Sequence, residues 1–227
     1  MSAIEFQCVS KRYGDRSAVH QLSFRIDAGE RVVVQGPSGC GKTTVLRLLA
    51  GFLRPDEGTV LVDGRVVADA GIMIGPEHRR LGMVFQDLAL WPHLSVSQNL
   101  DFALKAQGLN RQVRERRIAD MLARVRLETL AAAYPAQLSG GQQQRVAIAR
   151  ALVAHPFAVL MDEPLSNLDD ELRDELCGQI LDLHEQLGFT LIYVTHSKQE
   201  MSRIGVRTIR LRDGREARTG QDGSTNP

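Results

Sequence analysis

The sequence predicts an α/β fold, and three observations carry that expectation. Four short apolar runs, 31–35, 82–85, 157–161 and 190–194, are separated by stretches with helical spacing, as buried parallel strands with intervening helices would be. The first run, Arg31-Val32-Val33-Val34-Gln35, feeds a glycine-rich loop, Gly36-Pro37-Ser38-Gly39-Cys40-Gly41-Lys42-Thr43, and then a helical stretch from Thr44 to Ala50. The third run, Phe-Ala-Val-Leu-Met, ends in the acidic pair Asp162-Glu163, with Pro164 stopping the strand.

The remaining elements follow from pattern. Residues 4–9 alternate, Ile4, Phe6 and Cys8 against Glu5, Gln7 and Val9, and residues 19–27 carry Val19, Leu22, Phe24 and Ile26. With Thr59-Val60-Leu61-Val62 they are expected to form an antiparallel sheet packed on the α/β core, and Asp63-Gly64 signals a turn. Ser95 is placed to cap a helix whose Val96, Leu100, Ala103 and Leu104 share a face. A second helix, about 111–126, sets Val113, Ile118, Met121, Leu122 and Val125 on one side. Residues 87–155 are therefore expected to be an α-helical subdomain inserted between core segments 1–86 and 156–216, all within one domain over 1–216. The polar stretch 217–227 is expected to be a disordered tail. Arg111, Arg114, Arg116 and Arg117 form the one dense basic run; with Glu115 and Asp120 beside them they read as a solvated helix face.

Composition narrows the functional classes. At 227 residues, 43% hydrophobic and 24% charged, the chain can bury a core and has ordinary globular usage. A net charge of +1 gives no electrostatic case for bulk nucleic-acid binding, and no nucleic-acid partner is expected. No uncharged apolar run approaches the roughly 20 residues of a membrane span, and Met1–Gly14 lacks a signal-peptide core. Cys8, Cys40 and Cys177 are few and far apart, which suggests reduced thiols in a cytosolic protein in place of a disulfide frame or zinc site.

The glycine-rich loop fits G-x-x-x-x-G-K-[ST] in the strand-loop-helix context that motif requires. Glycines let successive N–H groups turn inward around an anion, and the helix N-terminus adds partial positive charge. Lys42 is expected to reach the β- and γ-phosphates, Thr43 to bind Mg²⁺, and Thr44 to offer a second hydroxyl. Cys40 reads as a small filler, since no His or acid is positioned to activate it. At the tip of 157–161, Asp162 is expected to hold the Mg²⁺ shell and Glu163 to orient or deprotonate an attacking water.

A second glycine-rich stretch, Leu138-Ser139-Gly140-Gly141-Gln142, completes a resemblance over about residues 4–215 to the ATP-binding cassette of ABC transporters, a P-loop NTPase (RecA-like) core. It is identical to that family's signature motif, and Tyr134-Pro135 before it and residues 143–152 after it also match. The resemblance implies that Tyr13 stacks on adenine, Gln86 senses Mg²⁺ and water, Ser166-Asn167-Leu168-Asp169 crosses a dimer interface, and His196 contacts the γ-phosphate. It implies ATP and Mg²⁺ as ligands, and a head-to-tail homodimer or cassette dimer in which Ser139 at a helix tip faces the ATP of the second copy. Ser197-Lys198, where relatives often carry an acid, and Val206, where an aspartate is common, are departures, and surface contacts are where they should tell.

The segment Phe85-Gln86-Asp87-Leu88-Ala89-Leu90-Trp91-Pro92-His93-Leu94-Ser95-Val96 resembles the importer branch that handles sugars, ferric ion and polyamines. The implied partners are transmembrane permease subunits and, through them, a solute-binding protein; the implied location is the cytoplasmic face of the membrane. In that family this region receives a helix of the membrane subunit, so Trp91 is either an interface anchor or a core ring. The chain stops at Pro227, so the C-terminal regulatory domain of many such importers is expected to be lacking. An exporter or lipoprotein-releasing cassette is an alternative. A soluble ABC ATPase of DNA repair or the ribosome is another, although Lys42 to Ser139 holds no heptad array and no internal repeat is evident.

Overall fold

The computed structural model describes residues 2–205 and 207–217. In chain order the elements are β1 (Ser2–Tyr13), β2 (Arg16–Asp27), β3 (Arg31–Gln35), α1 (Lys42–Ala50), β4 (Glu57–Val62), β5 (Arg65–Ala68), β6 (Leu81–Val84), α2 (Val96–Lys105), α3 (Arg111–Arg124), α4 (Gly140–Leu152), β7 (Ala158–Asp162), α5 (Asp170–Leu187), β8 (Thr190–Val194), α6 (Lys198–Ile204), β9 (Arg207–Arg212) and β10 (Arg215–Glu216). Val206 and the tail beyond Ala217 lie outside the described residues.

Two sheets result. A six-stranded sheet runs β10-β9-β3-β8-β7-β6, parallel except for β10, and a four-stranded antiparallel sheet runs β2-β1-β4-β5. The central strands of the first are apolar throughout because both faces are covered. Val32, Val34, Ala158, Leu160, Ile192 and Val194 point into one core, shared with α1 and the antiparallel sheet. Val33, Val159, Met161, Leu191 and Tyr193, one residue out of phase, point into a second core shared with α2 to α6. Each fully buried aliphatic side chain adds about 1.5–3 kcal/mol to this arrangement, so a one-residue slip of any central strand would exchange the two cores and expose neither to water.

β1 and β2 run longer than the expected 4–9 and 19–27. Their polar ends carry no alternation, yet the backbone ladder continues through Lys11↔Val19, Arg12↔Ser17 and Tyr13↔Arg16. That extension brings Tyr13 beside the loop after β3. β5, absent from the sequence reading, is only four residues long and pairs with β4 around the Asp63-Gly64 turn.

Between β6 and β7 lie α2, α3 and α4, with α4 packed on β6 and α2 on α4. Ser95 caps α2 in a capping box with Gln98. In the basic run, Arg111 pairs with Glu115 at 2.7 Å and Arg114 with Asp101 at 2.6 Å. Arg79 is the least expected structural residue. Its buried guanidinium donates to the carbonyls of Leu48, Leu49, Val67 and Ile74, tying the C-terminus of α1 to β5, and burial pushes its pKa down to about 10. Cations suit a helix C-terminus, where the last carbonyls lack partners.

Candidate functional site

The loop Gly36–Thr43 turns tightly between β3 and α1. Gly41, which precedes the helix, has a φ of 107°, and a Cβ there would stand 2.3 Å from the Ala18 carbonyl oxygen; only glycine fits. Cys40 is buried, its N–H donating to the Pro37 carbonyl while its own carbonyl accepts from Gly214, so its thiol is part of the loop's packing. Lys42 folds back over the loop, its Nζ donating to the Gly36 and Pro37 carbonyls at 2.8 and 3.2 Å. The ammonium is thus held above the loop, and Lys42 as a whole is 9% exposed.

A cleft of about 470 Å³ opens in front of this loop, lined by Tyr13, Arg16, Ser38, Gly39, Lys42, Thr43, Thr44 and Glu163 among others. Tyr13 is half-exposed at its rim. Arg16, a residue sequence reasoning passed over, bonds the Gly39 carbonyl at 3.1 Å and puts a second cation on the cleft wall. A lone arginine beside a turn carries no pattern, and the long reach of β2 was the only signal that could have found it.

The tip of β7 meets the loop from below. Thr43 Oγ1 donates to Asp162 Oδ1 at 3.5 Å. Burial pushes the Asp162 carboxyl above the usual carboxylate range, with the Thr43 bond and the positive charges of Arg47 and Lys42 pulling the other way. Glu163 has a positive φ of 46° and its N–H bonds the Val194 carbonyl at 3.0 Å, an arrangement that turns its side chain off the strand line toward the cleft. His196, just past β8, sets Nδ1 3.3 Å from Glu163 Oε2. Ser197 caps α6 by accepting from the Glu200 N–H, which gives the serine a structural use where an acid was expected.

The other sequence-chosen residues stand apart from this cleft. Gln86 is exposed, just past β6, and does not line it. Ser139 caps α4 in a capping box with Gln142, and the first-turn residue Gly141 packs so closely on Leu172 that a Cβ would meet its Cδ2 at 2.9 Å. Leu138 is buried, Ser139 and Gly140 are exposed, and none of Leu138 to Gln142 lines the cleft. Ser166 bonds the Glu163 carbonyl, Asn167 and Leu168 follow, and Asp169 caps α5, so this loop links the β7 tip to the tip of α4. Trp91 is partly buried, packed 4.3 Å from the Phe102 ring with Arg150 over its face at 5.0 Å. It borders a groove of about 630 Å³ that also takes in Phe52, Phe85 and Phe102. Trp91 is therefore both a packed ring and a groove wall.

Two chemical capacities follow. A glycine-rich loop at a helix start, an ammonium and a hydroxyl-carboxylate pair can hold a triphosphate with a divalent cation. A carboxylate beside an imidazole can orient and deprotonate a water.

Known proteins resemble this chain. The spermidine/putrescine import ATP-binding protein PotA of Oleidesulfovibrio alaskensis is 44% identical over 95% of this chain, which spans 57% of that protein. The Fe(3+) ions import ATP-binding protein FbpC 1 of Rhizobium meliloti is 43% identical over 96% of this chain and 61% of its own length. The chain thus spans about three fifths of the curated relatives it matches. Among solved structures, the dimeric post-hydrolysis state of the ATP-binding cassette MJ0796 bound to ADP and Pi superposes with a TM-score of 0.82 at 33% identity, covering 95% of this chain and 97% of that one. A family model described as ABC transporter matches residues 19–166, a span holding the phosphate loop, the Leu138–Gln142 motif and the Asp162-Glu163 pair, and the chain belongs to that family.

Proposed function

We propose that this chain binds and hydrolyses ATP and drives solute movement across a membrane as the ATP-binding subunit of an importer. The observation that carries the reading is the convergence of Lys42, the Thr43–Asp162 pair and the Glu163–His196 pair on one cleft rimmed by Tyr13. Tyr13 would cover the adenine, Ser38 to Thr44 would wrap the phosphates, and Lys42 would offset their charge. Thr43 and Asp162 fit the sparse protein coordination of Mg²⁺ on a nucleotide, and Gln86 is a further candidate ligand. Bound there, Mg²⁺ would neutralise phosphate charge. Glu163 would take a proton from a water oriented with His196.

The importer reading draws on the names of the relatives, which are import ATP-binding proteins for a polyamine and for ferric ion at nearly equal identity. That near-equality points to a shared power unit and assigns no solute. The exposed Ser139-Gly140 tip is read as one half of a composite site, completed by the phosphate loop of a second copy, with Ser166–Asp169 at the junction. Among the described residues no helix is long and apolar enough to cross a membrane. The chain would therefore attach peripherally, at the cytoplasmic face, with the Trp91 groove receiving a permease subunit.

The primary test is phosphate release from MgATP by the purified chain, together with its sedimentation with and without ATP. Release with an ATP-dependent dimer is expected; nucleotide binding without release would overturn the hydrolysis reading. For the partner, Trp91→Ala should reduce co-purification of a multi-span protein from detergent extracts while phosphate release persists. Undiminished capture would remove the groove from the interface.

A further inference from the structure

Behind the cleft, one buried carboxylate gathers groups from three elements. Glu200, on the first turn of α6, has a side chain only 4% exposed. Its Oε2 accepts from the Tyr193 hydroxyl at 2.8 Å, and its Oε1 lies 3.5 Å from Arg173 Nε. Tyr193 is fully buried in β8, and the Glu200 charge together with burial drives its phenol far above the ordinary range. Arg173, on the first turn of α5, also turns that Nε toward the Leu165 carbonyl of the preceding loop at 3.4 Å, while its terminal nitrogens bond the Leu168 carbonyl at 2.5 Å and the Asp170 carboxylate of its own helix.

The positions of these bonds matter more than their number. The loop held by Arg173 begins at Glu163, whose carbonyl accepts from both the N–H and hydroxyl of Ser166. The segment held by Glu200 contains His196, since the Glu200 N–H donates to Ser197 Oγ and Tyr193 lies three residues before the histidine. Glu163 and His196 are thus joined twice: directly at 3.3 Å over the cleft, and indirectly through Arg173 and Glu200 behind it. A second link between α5 and α6, Arg203 to Asp174 at 3.0 Å, is at the surface and carries little energy. A buried ion pair is also weak evidence for stability, since apolar replacement is often neutral. The pair makes a single contact, but Glu200 also accepts from Tyr193 and Arg173 also bonds the Leu165 and Leu168 carbonyls, so it ties two segments together.

We propose that Arg173 and Glu200 are positioning residues that lock the Glu163 loop to the His196 segment, so that the two side chains meet a nucleotide's terminal phosphate as one rigid pair. The proposal rests on the hydrolysis reading above. Substrate contacts are untouched by this pair, so its loss should change turnover and leave binding alone. A misplacement of about 1 Å can cost roughly 100-fold in rate.

The test is steady-state phosphate release by the full chain carrying Glu200→Gln, which keeps size and one acceptor oxygen and removes the charge and the second acceptor. The expected result is a kcat lower by roughly 10- to 100-fold with KM for MgATP within about twofold. Arg173→Lys, which keeps the charge but loses the fork onto the Leu165 and Leu168 carbonyls, should fall between. Amide hydrogen exchange in Glu200→Gln should accelerate together over 163–168 and 195–198. An unchanged kcat would overturn the proposal, as would a parallel loss of kcat, nucleotide binding and melting temperature, or loosening of one segment alone. A wild-type chain that binds ATP and releases no phosphate overturns the hydrolysis reading, and this proposal with it.

Discussion

The two glycine-rich stretches are finished to different degrees. The Gly36–Thr43 loop is built into a cleft: its lysine is tethered, its threonine meets Asp162, and Glu163 with His196 closes the far side. The Leu138–Gln142 stretch is equally well made as local structure, with a full capping box and a glycine pressed on Leu172, yet it does not line that cleft, and its Ser139 and Gly140 are exposed. A helix start leaves its first N–H groups without intrahelical acceptors; here the Ser139 hydroxyl takes the Gln142 N–H, and Gly140 at the tip stays exposed. Local rules explain how both motifs fold. Only the first is explained by the single chain, and the proposed second copy is what would use the other.

The sharpest break between the two halves should come at Glu163. Replacing a general base typically lowers rate by about 10²–10⁴-fold, and Glu163→Gln keeps its shape while removing the charge. Phosphate release should fall by that amount while ATP binding persists, and undiscarded ATP should hold a dimer on sizing chromatography. A monomer in saturating ATP would show that the α4 tip has no partner copy. Next is Lys42→Ala. Charge-assisted bonds of about 1.5–3 kcal/mol correspond to roughly 10- to 150-fold in affinity, read by titration with a fluorescent ATP analogue. Unaltered affinity would mean that the first glycine-rich loop is not the phosphate cradle.

How much of this was legible in the sequence divides along physical lines. The central strands were readable because both faces are buried, which forces runs such as Val32-Val33-Val34, and the strand-loop-helix turn at Gly36–Thr43 because its left-handed backbone at Gly41, pressed on Ala18, demands glycine. Ser95 and Asp162 were readable for similar reasons: a cap and a strand tip are local. Arg16, Arg79, Arg173 and Glu200 were not. Their partners, carbonyls for the first two and a phenol, an acid and a guanidinium in the Tyr193–Glu200–Arg173 group, come mainly from other elements, 23 residues away for Arg16 and Gly39 and 31 for Arg79 and Leu48, and no local pattern announces such bonds. The ends of β1 and β2 escaped because backbone pairing, not alternation, sustains them.

Ser139→Ala sharpens the contrast at smaller scale. Losing an N-cap costs about 1 kcal/mol, which lowers the melting temperature of a chain this size by roughly 2–4 °C. If the tip serves only the second copy, nucleotide affinity of the monomer should be unchanged while ATP-dependent dimerisation weakens. A drop in monomer affinity would instead put the tip in the chain's own site.

The smallest expected effect lies at the rim of the complete site. Asp56 fastens the end of β1, where Tyr13 sits: its Oδ1 accepts from Lys11 Nζ and its Oδ2 from the Arg12 N–H, both at 2.7 Å. The Lys11 bond, helped by the Arg12 bond and opposed by burial, holds the carboxyl below the usual carboxylate range. A depressed folded-state value means that the stabilisation is fully present above the unfolded pKa of about 3.9 and is lost as pH falls through the folded value. Asp56→Asn should therefore lower the melting temperature slightly at pH 7, and that difference from wild type should vanish as acid protonates Asp56 in the wild type. The pair is solvent-exposed, so the loss should stay under about 1 kcal/mol. Nucleotide affinity should move far less than in Lys42→Ala, because on the proposed reading Tyr13 would cover the base while the loop would hold the charge. Should Asp56→Asn weaken binding as much as Lys42→Ala, the rim and not the phosphate loop would dominate the cleft, and the complete half of the comparison would have to be rebuilt around Tyr13.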